Sequence, residues 1–142
     1  MTPQWDVSDA WVFAAITGTG PEDGCSLTQI IATADGVNHA ILTEREFTRA
    51  VPRLIAAGLV GADPGVGRYW HTEAGRALYR RRMRRRGAFG WIDALPPALR
   101  ALGEPRDGPW PLPPGAFDRA TREYLRDARS RGDQEGSPGG PG

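Results

Sequence analysis

Apolar residues fall at helical spacing in several separated stretches of this chain, with one strand-like stretch between them. Trp11, Val12, Ala15 and Ile16 share one face of a helix that Ser8 caps and that Gly18, Gly20 and Pro21 stop. Leu27, Ile30, Ile31 and Ala34 repeat the spacing behind Ser26, which predicts a second core helix ending near Asp35 and Gly36. A third begins at Thr43, where Thr43 and Glu46 make a capping box. The hydroxyl accepts a backbone N–H of the first turn and the carboxylate reaches back to the cap N–H. Phe47, Ala50, Val51, Leu54, Ile55 and Gly58 then lie on one side, while Arg45, Arg49 and Arg53 repeat at every fourth position on the opposite side. Pro52 removes one backbone donor inside this helix and predicts a kink.

Leu59 and Val60 open a strand, Asp63 to Gly67 carry turn residues, and Arg68 to His71 read as the returning strand of a hairpin. Thr72 caps a fourth helix with Ala74, Ala77, Leu78 and Met83 on its apolar face and arginine all round its distal half. Residues 91–102 form a short apolar segment holding Pro96 and Pro97, and residues 103–115 an extended, polyproline-like linker. Phe117, Ala120, Thr121, Tyr124, Leu125 and Ala128 trace one face of a last helix. The expected core joins Trp11, Ile16, Leu27, Ile31, Phe47, Val51, Leu54 and Leu59. The fold class implied is mainly α with a small β-hairpin wing: a winged helix-turn-helix domain over residues 8–86 and a proline-interrupted helical extension over 87–131. A disordered tail over 132–142, which has no apolar residue, completes the chain.

Charge turns part of this packing scheme into a candidate surface. Residues 1–42 hold five acids and no arginine or lysine, residues 43–86 hold eleven arginines against four acids, and residues 87–142 come to −1. A chain with a formal net charge of only +1 thus concentrates one positive field in its middle, the kind that attracts phosphate. All 18 basic residues are arginine, which reads as the imprint of GC-rich coding, although the chemistry of the guanidinium is available whatever its origin.

The stretch EFTRAVPRLIAAGLV resembles the recognition helix and first wing strand of winged-helix regulators of the MarR and PadR kind. RYWHTEAGRALY resembles their second wing strand and following helix. The Asn38-His39-Ala40 segment ahead of a helix ending in AGLV is also similar to one in small bacterial proteins. The resemblance to the regulators spans about residues 8–86 and implies a helix in the major groove with the wing on the backbone or minor groove. It places Arg45, Thr48, Arg49 and Arg53 against DNA and Arg68 near the wing. The run containing Arg80, Arg81, Arg84 and Arg85 adds phosphate contacts. Two features depart from the family: DGVNHAIL makes a longer connection than a three- or four-residue turn, and Pro52 falls in the reading helix.

Other chemistry finds little support. Cys25, His39, His71 and Asp35 match no zinc spacing, so no metal or other cofactor is expected. Neither a nucleophile with its base nor a phosphate-cradling glycine loop occurs, so the chain does not read as an enzyme. A single cysteine, an N-terminus without a signal-peptide pattern and the lack of a membrane-length apolar run point to a cytoplasmic protein that does not contact membranes. Trp5, Trp91 and Trp110 are expected to cover the edge of the core or an oligomer interface. The last helix lacks an obvious groove in its own chain, which suggests a homodimer through it. Two functions follow: a DNA-binding transcriptional regulator that contacts double-stranded DNA, or a protein–protein interaction module on a winged-helix scaffold. Acids bordering the arginine stripe would favour the second.

Overall fold

Helix α1 (Val7–Ala15) is apolar on nearly every side, and a helix of that kind is stable only inside. In the computed structural model, which describes residues 2–87 and 89–136, everything from Asp9 to Ala15 is buried. Helices α2 (Leu27–Asn38), α3 (Glu44–Ala56) and α5 (Trp91–Arg100) pack around α1 as an axis. Its N-cap is Asp6 rather than Ser8: the Asp6 N–H donates to the Asp9 carboxylate at 2.8 Å, which fixes the first turn two residues earlier than the serine would.

Ser26 and Gln29 cap α2 reciprocally. The helix does not stop at Gly36; it continues to Asn38 and closes on His39, whose N–H donates to the Asp35 carbonyl and whose left-handed φ of 53° turns the chain out of the helix. A glycine inside a helix costs only about 1 kcal/mol, and Val37 beyond it packs on the core. The expected long connection thus shrinks to residues 39–43, close to a helix-turn-helix turn.

Thr43 and Glu46 cap α3 as expected, and the helix runs unbroken through Pro52. Strands β1 (Val60–Asp63) and β2 (Arg68–His71) form the antiparallel hairpin, with Val60 opposite His71 and Asp63 opposite Arg68. A pairing with no sequence signal supports β2 from its other edge: Cys25 exchanges both backbone hydrogen bonds with Tyr69, and the His71 N–H donates to Gly18. Thr72 caps α4 (Glu73–Met83). Its buried face is Gly75 and Leu78 with Tyr79 and Met83 beside them, whereas Ala74 and Ala77 are exposed. Gly75 is required there, because a Cβ would lie 1.9 Å from the Leu59 carbonyl oxygen.

The apolar segment after residue 90 is helix α5 in spite of Pro96 and Pro97. The N–H groups those prolines lack would have met the carbonyls of Ile92 and Asp93, both surface residues that solvent reaches. Residues 101–115 then cross the molecule without regular structure, and α6 (Ala116–Gly136) packs on α2. Phe117, Ala120 and Tyr124 are buried there, the Tyr124 hydroxyl bonds the Asp35 carboxylate, and Thr28 bonds Glu123. Part of the apolar face that suggested a dimer is thus covered within the chain itself, while Leu125 of the same face is 44% exposed. Residues 132–136, expected in the disordered tail, belong to α6, while residues 137–142 lie outside the described residues.

One hydrophobic cluster spans the whole arrangement, from Trp11 and Phe47 to Leu99 and Tyr124. The eight expected core residues belong to it, Leu27 as a partly buried member. Three tryptophans close its edge by donating to fixed oxygens: Trp5 to the Gly103 carbonyl, Trp91 to the Val37 carbonyl and Trp110 to the Tyr69 hydroxyl. Described residues form six helices and one two-stranded hairpin, a mainly helical fold.

Candidate functional site

The arginine stripe of α3 does not face one way. Each step of four residues advances about 40° past a full turn, so a stripe that starts opposite the core at Arg45 has drifted to the core boundary by Arg53. Arg45 is exposed and Arg49 is 47% exposed, but Arg53 is 1% exposed. The expectation that Arg53 faces DNA is therefore wrong.

Arg53 is instead the centre of an ion cluster. Its Nη1 donates to the Asp9 carboxylate at 2.9 Å and to the Gln4 carbonyl at 2.7 Å, and its Nε donates to Asp107. Asp9 is fully buried inside α1, and burial raises its pKa although the Asp6 N–H and the Arg53 charge pull the other way. Burial alone would weaken the proton on Arg53, yet the hydrogen bonds and charges of Asp107 and Asp9 outweigh it and leave its pKa raised. Asp107, at 58% exposure, is held below the ordinary carboxylate value by its bond to Arg53. Arg49 joins the rim of the cluster through Asp6 at 3.0 Å.

Asp107 begins the part of the 101–115 segment that runs beside α3. Gly108 lies against Pro52 and Trp110 bonds Tyr69. Between this strap, residues 107–115, and the helix is a cleft of about 570 Å³ lined by Glu44, Arg45, Thr48 and Arg49 on one wall and residues 108–110 and 112–115 on the other. The Thr48 hydroxyl is turned to its own helix, donating to the Glu44 carbonyl at 2.9 Å. The outward face of α3 is thus bordered by the strap and by Asp6, Glu44 and Asp107.

Arg68, at the end of the hairpin, donates from Nη1 to the Gly24 carbonyl at 3.0 Å and so holds the Gly18–Cys25 segment. The arginines at the end of α4 differ. Arg80, Arg81, Arg82, Arg84, Arg85 and Arg86 are exposed, and among the described residues none of them forms an ion pair. The structure does not join this run to the α3 stripe through any described hydrogen bond or ion pair.

The residue types considered for a metal are dispersed into structural roles. Cys25 Sγ lies 3.4 Å from the Tyr69 carbonyl, His71 Nε2 lies 2.8 Å from the Phe13 carbonyl, and Asp35 holds Tyr124. Burial lowers the His71 pKa; the Phe13 carbonyl opposes this and nearby Arg76 adds to it. Among the described residues no group of three metal-binding side chains converges, and no helix is long and apolar enough to cross a membrane.

Sequence reasoning missed the acids of the cluster. A signal was present: Asp9 stands in a helix otherwise apolar enough to be the axis of the core, and a carboxylate there demands a buried cation. No protein-family model, curated protein or solved structure matches the chain.

Proposed function

We propose that the chain is a protein-interaction module on a winged-helix scaffold, without sequence-specific DNA reading through α3. The order helix, helix, helix, hairpin, helix from Val7 to Met83 is compatible with that layout, as is the short 39–43 connection. The observation that carries the reading is the burial of Arg53 against Asp9, with Asp107 holding it from the exposed side, because the residue best placed to extend a reading stripe is held inside the molecule. Arg49 is paired with Asp6 and residues 108–115 flank the same face, so a duplex approaching α3 meets acids and protein alongside Arg45 and Arg49.

One observation favours a second reading, contact with the backbone of double-stranded DNA: the six exposed arginines from Arg80 to Arg86, none of which forms an ion pair among the described residues. Backbone contact positions a protein without specifying sequence. Fluorescence anisotropy on a panel of duplexes of equal length separates these readings. The module reading expects no duplex to be preferred and no change in salt slope for Arg45→Ala/Arg49→Ala. A sequence preference that this variant abolishes would restore α3 as the reading helix and end the proposal. A uniform slope that falls by about 0.9 for each phosphate contact removed from the Arg80–Arg86 run would establish the second reading.

A further inference from the structure

The arginine run does not end on a polar surface. Arg86 packs its stem against Gly90, where its Cβ lies 2.7 Å from the position a glycine Cβ would take, and this brings the run directly onto the first turn of α5. Phe89 and Ile92, one helical turn apart, are 52% and 49% exposed beside it. Among the described residues, Phe89 meets one aromatic neighbour, the ring of His39 at 5.2 Å, at the left-handed end of α2. Beneath them Trp91 is buried and anchored to the Val37 carbonyl at 2.9 Å, which fixes this turn on the body of the protein. From Arg80 to Arg100, seven arginines face a single acid, Asp93.

We infer that this surface docks an acidic peptide segment carrying apolar anchor side chains, an inference that rests on the interaction-module reading. Charge complementarity selects the acidic character: a partner that supplies carboxylates to Arg80, Arg81, Arg84 and Arg85 neutralises charges that form no ion pair among the described residues. Phe89 and Ile92 select the apolar anchors. Against a phosphate backbone the pair would remain in water or lose it without an apolar surface in return, whereas a leucine or phenylalanine on a peptide removes both surfaces from water together. A bilayer fits less well, because interfacial binding needs a broad apolar face, and here two half-exposed side chains stand next to the charged Asp93.

The experiment uses the full chain and a labelled synthetic peptide of glutamate and leucine, with the leucines at helical spacing. Polyglutamate of equal length, a duplex DNA and phosphatidylserine vesicles serve as competing probes. The glutamate–leucine peptide is expected to bind best, and Phe89→Ser/Ile92→Ser to weaken it by about tenfold or more while leaving polyglutamate unchanged. Replacing Arg80, Arg81, Arg84 and Arg85 by Gln weakens both peptides. Should the apolar variant lose its fold, changing the peptide's leucines to serine makes the same test from the other side and is expected to cost the same tenfold. Equal binding of the two peptides, no binding of either, or tighter binding of duplex or vesicles overturns the inference. The broader module reading falls separately, only if a duplex shows a sequence preference that Arg45→Ala/Arg49→Ala removes.

Discussion

Replacing Arg53 by Met keeps most of the side-chain volume and deletes the charge, which isolates what the ion cluster contributes. Asp9 is fully buried and Arg53 is 1% exposed, so the variant leaves a carboxylate inside the protein without its cation, and it also strips the Gln4 carbonyl of its donor. Breaking a buried pair from one side costs about 3–5 kcal/mol, a large share of the roughly 5–15 kcal/mol that holds a typical domain. Asp107 adds little to that figure, because at 58% exposure its ion pair is largely screened. The penalty has a pH signature. Asp9 already has a raised pKa in the folded state, and losing Arg53 raises it further. Above the unfolded value of 3.8 the unfolded chain gives up a proton that folded Asp9 retains, so the cost of the variant grows as pH rises toward the folded pKa. Urea melts at pH 5 and pH 7 should therefore show a larger loss at the higher pH. Arg53→Met/Asp9→Asn should recover most of it, since Asn removes the charge while its amide oxygen still accepts the Asp6 N–H. A loss under about 0.5 kcal/mol, the usual scale of surface substitutions, with no pH dependence would refute the buried assignment.

The same melts check three other features. Leu54→Ala should cost about 2–5 kcal/mol, as Leu54 has no exposed surface; a neutral result would mean the phase of α3 is wrong. Gly75→Ala should destabilise by about 1–3 kcal/mol because its Cβ meets the Leu59 carbonyl, whereas Gly36→Ala, in an open helical position, should stabilise by about 0.5–1 kcal/mol. Equal effects of the two would contradict the packing of α4 on Leu59. The lowered pKa of His71 means that the unfolded state binds more protons below 6.5, so its contribution is complete above that pH and is lost as pH falls toward the folded value. Melting temperatures measured from pH 7 down to pH 5 should fall more steeply for the native chain than for His71→Gln, and parallel curves would place His71 in solvent.

Local rules were enough for the elements they govern. Side chains that bond their own backbone, such as Ser26, Thr43 and Thr72, marked helix starts correctly, and the turn residues from Asp63 to Gly67 marked the hairpin. What was illegible depends on distant partners. The first cap is a local exception: Asp9, three residues on, accepts the Asp6 N–H and makes Asp6 the cap in place of the expected Ser8. The extension after residue 86 looked unpartnered because no local pattern says that α6 will find α2 or that Asp107 will reach Arg53 across 54 positions. The α3 stripe failed for a geometrical reason: a repeat of four is not the period of the helix, and the drift that brings Arg53 into the core is small at each step. The exposure of the Arg80–Arg86 run needed no such correction, since Met83 alone of its side chains turns to the core and the arginines stay in solvent.

The account turns on which arginines point inward, and phenylglyoxal modification of the native protein, read by peptide mass spectrometry, measures that residue by residue. Arg45 and the arginines from Arg80 to Arg86 are expected to react fastest, Arg49 more slowly because of Asp6, and Arg53 only under conditions that unfold the chain. Modification of Arg53 in the native protein as fast as Arg45 would contradict the buried cluster and return the whole stripe to the surface.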